Sequence, residues 1–312
     1  MRFPHLPVLA GLLLSAVSPF VLADADKREW TAAEGGGTFT GSLVEVAADG
    51  KVRLRLNDDQ VVSYDPSYFS DVDRAWLVTW AEANAELDEV VKNAPGTLTR
   101  YEAKGEFTTE YYVYEPSDAG PVVQRPVLLL FNPTAKAQQY IKHFIIPAEE
   151  SKMMVITLGY FHNVSLTDPL VDVKEAPLSR RFGEVWRDIQ NKIEFDMNRV
   201  FMGGTSGGGR RAYSYTWQYP RNWAGIWDNG GVIGGDGLRA HDFPDNMRVV
   251  IVNGNQDRAN NAHVAKDTAV LKANKAKVAL ISFEGGHQLP PPDKITQSFN
   301  WLLGKDETYT EE

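Results

Sequence analysis

Apolar and polar positions alternate early in the chain and give way to unbroken apolar runs later. Thr38 to Val46, Lys51 to Leu56 and Val61 to Tyr64 alternate, with turn residues Asp49-Gly50 and Asn57-Asp58-Asp59 between them. A period of two belongs to a strand with one buried face, so residues 28–77 are expected to form a small β-meander. Ser70 and Asp71 are placed to cap a helix running to Asn93, which Pro95-Gly96 ends, and residues 78–96 are expected to act as a helical connector. Tyr101 to Tyr114 alternates again, as one or two strands at a sheet edge would. Beyond it, Pro126 to Phe131, Met153 to Leu158, Val200 to Met202, Val249 to Val252 and Val278 to Phe283 are continuous apolar runs, the pattern of strands buried on both faces. Helix-compatible segments separate these runs at Gln138 to Ser151, Arg181 to Phe195, Arg210 to Tyr219, Ala262 to Ala273 and Asp293 to Leu303. Strands alternating with helices predict an α/β fold over residues 97–305: a doubly wound, mostly parallel sheet with helices on both faces, followed by a polar tail at 306–312.

Composition narrows the classes. The 312 residues, 43% hydrophobic, suffice for one large domain and a small one. A net charge of −9 with no long basic run excludes a nucleic-acid partner, whose phosphates demand a lysine- and arginine-rich face. The absence of cysteine excludes a disulfide framework, a thiolate metal site, a cysteine nucleophile and a lipid-anchored cysteine. Residues 1–23 read as a secretory leader, with Arg2 near the start, an apolar core from Leu6 to Leu22, and Val21-Leu22-Ala23 before Asp24. Pro19 and the V-x-A ending favour cleavage over retention as an anchor, and no other segment approaches the roughly 20 apolar residues that spanning requires. The mature chain is expected to be periplasmic or extracellular, with no membrane attachment.

The chemistry centres on Arg199-Val-Phe-Met-Gly-Gly-Thr-Ser206-Gly-Gly-Gly-Arg-Arg-Ala212. Gly204-Thr205-Ser206-Gly207-Gly208 fits G-x-S-x-G, with an apolar run before it and a helix-compatible segment after it. Strand, sharp turn and helix would lift the Ser206 hydroxyl clear of the sheet and aim the Gly207 N–H at a developing oxyanion. The alternative is a glycine-rich loop that merely turns the chain or cradles a phosphate. A serine hydroxyl needs a neutral imidazole to take its proton and an acid to orient that imidazole. Asp257, in Asn253-Gly-Asn-Gln-Asp257 after one strand, is the candidate acid, and His287, in Glu284-Gly-Gly-His287 after the last, is the candidate base. The chain order serine, acid, histidine is that of α/β-hydrolases. Asp228 and Glu284 are rival acids. His143, His162, His241 and His263 are weaker rivals for the base by position. A second oxyanion N–H is expected from Thr134, after Asn132-Pro133, unless Pro133 simply turns the chain. Trp217, Trp223 and Trp227 are read as core residues, with an aromatic substrate platform as the alternative.

Two resemblances extend these readings. Arg28-Glu-Trp-Thr31, Gly37-Thr-Phe39, Gly50-Lys-Val-Arg-Leu54 and Tyr68-Phe-Ser-Asp-Val-Asp73 together resemble the first homology domain of the Sla family of endocytic adaptors. That likeness implies a small SH3-like β-barrel in front of the larger domain, a binding or packing module with a protein or polymer partner; a plain β-extension of the larger domain is the alternative. Asp196-Met-Asn-Arg199 through the elbow, with Tyr219-Pro-Arg-Asn-Trp223-Ala-Gly225, resembles the polyhydroxyalkanoate-depolymerase and esterase branch of the α/β-hydrolases. It implies a serine carboxylic-ester hydrolase acting on an ester-bearing small molecule or polymer, with no metal or cofactor; some relatives with similar elbows cleave peptides. Asn132-Pro133 replaces the His-Gly that many such enzymes carry and leaves the substrate open. From a different class, a non-catalytic binding protein would use the hydrolase fold as a scaffold for the N-terminal module.

Overall fold

The computed structural model describes residues 27–46, 50–56, 61–106, 108–132, 137–159, 176–219 and 223–306. The expected leader, Thr134, His162, most of the stretch from Phe161 to Ser179 and all but the first residue of the polar tail lie outside the described residues.

The alternating N-terminal region forms a four-stranded antiparallel sheet in the order β1 (Lys27–Thr31), β2 (Thr38–Val46), β3 (Val52–Leu56), β4 (Val61–Tyr64). The meander expected from alternation is there, with β1 added. A bridge between Ala32 and Phe69 ties the end of the segment back to its start. One face buries Trp30, Leu43, Val52, Leu54 and Phe69 against Leu77 of helix α1 (Asp71–Asn93). The Ser70 hydroxyl caps that helix by accepting the Asp73 N–H at 3.3 Å, and the Asp73 carboxylate accepts the Thr31 N–H at 2.8 Å. The helix runs unbroken from this core to the next. Its first half packs Trp76, Leu77 and Trp80 into the small sheet, while Val90 and Val91 pack onto the large one. Asp88 pairs with Lys142.

Eight strands make the large sheet: β5 (Thr97–Lys104), β6 (Thr108–Glu115), β7 (Val127–Phe131), β8 (Met154–Leu158), β9 (Val200–Thr205), β10 (Gly225–Asn229), β11 (Arg248–Gly254) and β12 (Lys277–Phe283). Their spatial order is β12-β11-β10-β9-β7-β8-β6-β5. Neighbours from β12 to β8 pair in parallel; β6 runs antiparallel to both β8 and β5. In β7 every residue is buried, with Val127, Leu129 and Phe131 on one face and Leu128 and Leu130 on the other. Helices α4 (Ala176–Lys192), α5 (Gly207–Gln218) and α7 (Arg258–Ala273) cover the first face. Helices α2 (Ala137–Lys142), α3 (Ile145–Ser151) and α8 (Pro292–Leu302) cover the second, and a short α6 (Asp236–Arg239) lies in the loop after β10.

Two elements depart from expectation for physical reasons. The single helix expected from Gln138 to Ser151 is two, because Pro147 has no N–H for the His143 carbonyl and its ring would strike that carbonyl in a continuous helix. Strand β10 was not legible, because Gly225-Ile-Trp-Asp-Asn229 carries one glycine and two polar residues where a buried strand normally shows an apolar run. The connection from β8 to β9 crosses over β7, so the winding reverses between β7 and β9, and a crevice opens at the carboxyl ends of those strands.

Candidate active site

Ser206 stands at that switch point, between the last residue of β9 and the first of α5. Its backbone has φ 55° and ψ −119°, a conformation that costs a non-glycine residue about 1–3 kcal/mol and persists only where the surroundings impose it. They do so through the Ser206 N–H, which donates to the Asn229 carbonyl of β10 at 2.8 Å. Helix α5 departs so close to the sheet that a Cβ on Gly208 would overlap the Phe131 carbonyl at the end of β7. The Gly207 N–H opens α5, where the first amides have no partner within the helix and the dipole is positive.

Asp257 and His287 meet across two neighbouring loops. Asp257 ends the loop after β11 and is the N-cap of α7, its carboxylate accepting the Asn260 N–H at 3.3 Å. His287 follows β12, and its Nδ1 lies 2.7 Å from Asp257 Oδ2. The two loops are stitched by Asn255 N–H to the Phe283 carbonyl, 2.9 Å, and Gln256 N–H to the Gly285 carbonyl, 2.8 Å. The carboxylate is nearly enclosed, at 3% side-chain exposure, whereas the imidazole is 21% exposed, so the pair has a dry end and a wet end. The ring rests on Gly230. This glycine has φ 61°, and a Cβ on it would come within 2.8 Å of the imidazole. Because Gly230 directly follows Asn229, the residue that holds Ser206, the imidazole and the strained serine are placed on consecutive residues of one turn.

No protein-family model matches the chain, and no curated protein matches it in sequence. Solved structures do. A hyperthermophilic esterase from the archaeon Pyrobaculum calidifontis superposes with a TM-score of 0.54 at 10% identity, over 73% of this chain and 92% of that one. Esterase E25 gives 0.53 at 14% identity, over 76% and 86%. An S-formylglutathione hydrolase from Agrobacterium tumefaciens gives 0.51 at 15% identity, over 68% and 94%. Such a likeness, with the β-strand order and the strained serine after β9, is one of fold. The chain has the α/β-hydrolase fold.

Within this fold the rival groups fall elsewhere. Asp228 is completely buried on β10, where its carboxylate accepts the Gly231 N–H at 2.9 Å and the Tyr213 hydroxyl at 3.2 Å, on the side of α5. Burial pushes its pKa up to about 7, helped by the nearby Asp267 and opposed by the Tyr213 and Gly231 hydrogen bonds and by Arg210. Glu284 is exposed. His263 lies 3.2 Å from Arg239, and His241 stacks on Trp217 at 4.5 Å. Trp223 and Trp227 are core residues; the Trp227 indole N–H donates to Ser298 at 2.7 Å beneath the sheet. Among the described residues no group of three or more His, Asp or Glu could hold a metal ion, and no helix is long and apolar enough to cross a membrane.

A set of asparagines frames the site, and the sequence reading did not pick them out. Asn229 Nδ2 donates to the Val252 carbonyl at 2.9 Å and to Gln288 at 3.2 Å, while its Oδ1 accepts from Thr205, itself bonded to Tyr140. Asn253 Oδ1 accepts the Gly230 N–H at 2.9 Å and its Nδ2 donates to Asn261. Asn253 left a signal, a polar residue ending the apolar run Val249 to Val252 just before Gly254, whereas Asn229 left none because β10 carries no apolar run.

Proposed function

We propose that the protein is a serine hydrolase that cleaves carboxylic esters through Ser206, His287 and Asp257. The observation that supports this most is the Ser206 backbone: a non-glycine residue held in a strained conformation at a strand-to-helix turn, with the Asp257–His287 pair resting on the turn that holds it. In this reading Ser206 Oγ attacks the ester carbonyl carbon as His287 Nε2 takes its proton. Asp257 keeps Nδ1 protonated and stabilises the imidazolium. The charge that develops on the carbonyl oxygen is met by the Gly207 N–H, with the Thr134 N–H assigned as the second donor from its place in the sequence. His287 then protonates the leaving alkoxide as the C–O bond breaks, and the acyl group remains on Ser206. Water, deprotonated by the same imidazole, attacks the acyl carbon; the bond from that carbon to Oγ breaks as the imidazolium returns its proton to Ser206, and the acid is released.

The esterases among the structural neighbours and the likeness to the polyhydroxyalkanoate-depolymerase and esterase branch support an ester-bearing small molecule or polymer as substrate. The leader-like residues 1–23 support export, and the N-terminal sheet, with its likeness to an SH3-like domain, is assigned to holding a polymer or protein partner. Labelling with a fluorophosphonate probe tests the reading: the wild type should be labelled and Ser206→Ala should not. A folded but unlabelled wild type would point to a non-catalytic binding protein.

A further inference from the structure

The small sheet carries aromatic faces and polar groups that its own fold leaves unused. Phe39, Tyr64 and Tyr68 lie around the buried Phe69, with ring centroids 6.5, 5.6 and 5.6 Å from it, and Tyr64 stacks on Tyr68 at 4.9 Å. The ring cluster is held from beneath, yet Tyr68 remains 44% exposed. With Glu34, Thr38 and Thr40 these rings line a groove of about 830 Å³, within the span of about 300–1,000 Å³ usual for ligand sites. Among the described residues, neither the Glu34 carboxylate nor the hydroxyls of Thr38, Thr40, Tyr64 and Tyr68 have a hydrogen-bond partner. The main chain around the groove is already paired. Ala32 N–H donates to the Gly37 carbonyl at 2.8 Å, Ala33 N–H to the Tyr68 carbonyl at 2.8 Å and Tyr68 N–H to the Asp65 carbonyl at 3.0 Å.

These groups select the occupant. A paired main chain gives an extended peptide no ladder of backbone partners to join. Glu34 lines the groove and no lysine or arginine does, which repels an anionic chain. A plain polyester offers acceptors only and would leave the carboxylate facing other acceptors. Tyr64 and Tyr68 stack directly on each other, so no slot for a cation lies between them. A neutral sugar ring meets every one of these conditions. Its C–H face lies flat on an aromatic ring, and the hydroxyls at its edge donate to the carboxylate and both donate to and accept from the threonine and tyrosine hydroxyls. We propose that this groove binds an uncharged polysaccharide chain, with Tyr68 as the stacking platform and Glu34 as the main acceptor. The inference rests on the reading of the small sheet as a module that holds a partner, and not on the triad; it gives that partner a chemical class, so that the ester brought to Ser206 is one carried on sugars.

The test is affinity electrophoresis of the full chain through native gels with and without soluble neutral glucan, xylan or mannan, followed by titration with the polysaccharide that retards it. The wild type should be retarded, equally at low and high salt because the ligand is uncharged. Tyr68→Ala should weaken binding by about tenfold through loss of the platform. Thr38→Arg, at an exposed position, should do the same by filling the groove, so the outcome does not hang on one variant. Glu34→Gln still hydrogen-bonds a hydroxyl and should change affinity by less than about threefold. Tyr68→Ala and Thr38→Arg should both keep wild-type turnover of a soluble nitrophenyl ester. A wild type that none of the three polysaccharides retards would overturn the inference. Capture of a lysine- and proline-rich peptide instead, weakened by salt and by Glu34→Gln, would overturn the sugar and keep the small sheet as a partner-holding module; binding of neither would remove that module reading too. A wild type that is retarded but not labelled by fluorophosphonate would uphold the inference and remove only the triad chemistry.

Discussion

The two sheets of this protein differ in what their strands bury and in what lies at their ends. The small sheet is antiparallel and buries one face around Trp30 and Phe69, so its strands end alternately at its two ends. The large sheet is parallel from β12 to β8 and covered on both faces, so the loops after β9, β10, β11 and β12 gather on one edge. Parallel winding thus brings together residues far apart in sequence, and all three candidate triad members follow such strands. The small sheet contributes none of them. Beside its small core lies instead a groove of about 830 Å³ lined by Glu34, Thr38, Phe39, Tyr64 and Tyr68.

Substitutions at the large sheet should therefore dominate, and Ser206→Ala should do most. It is expected to remove turnover of every ester by on the order of 10⁶-fold, measured with a nitrophenyl ester. Asp257→Asn should follow, with a loss of about 10⁴-fold, because the imidazole would then be held in the wrong tautomer. Asp228→Asn should cost far less; the reverse ranking would make Asp228 the catalytic acid. Gly230→Ala should rank third. Its methyl group would press on the imidazole and force an L-residue into a positive φ, which predicts about a 10²-fold drop in kcat/KM and about 1–2 kcal/mol of stability in urea melts.

The buried acid on β10 sets a smaller, pH-dependent effect. Its carboxyl is pushed from 3.8 to about 7 in the folded chain, so between these values the native state holds a proton that the unfolded state releases. Stability from this group is present below about pH 4 and is lost as pH rises toward 7. Asp228→Asn, neutral throughout, should gain Tm relative to wild type as pH goes from 4 to 8. A Tm difference that stays constant across that range would show that Asp228 does not titrate there.

The smallest effect on chemistry should come from the small sheet. A chain beginning near Asp88 keeps Val90, Val91 and the Lys142 pair on the large sheet while losing Trp76, Leu77 and Trp80 with the small one. It should hydrolyse a soluble short-chain ester at close to the full-length rate and lose activity on an insoluble ester-bearing polymer, where the module raises effective concentration. Equal loss on both substrates, with the fold intact, would erase the contrast between the two regions.

Composition and periodicity alone determined the alternation of β10's neighbours with helices, the meander, the long helix from Ser70 to Asn93 and the order serine, acid, histidine. These are legible because burial on one face or two writes a period into the chain, and because a tight turn demands glycine at fixed offsets. Tertiary structure alone decided which acid meets His287. Asp228 and Asp257 both lie at or after the ends of sheet strands, but strand pairing turns the first inward to Tyr213 and sets the second beside the imidazole. It also decided the asparagine frame and β10 itself, whose Asp228 and Asn229 are buried because their partners come from β11, α5 and the His287 loop. A polar side chain is satisfied by groups that are distant in sequence, and the sequence carries no local record of them.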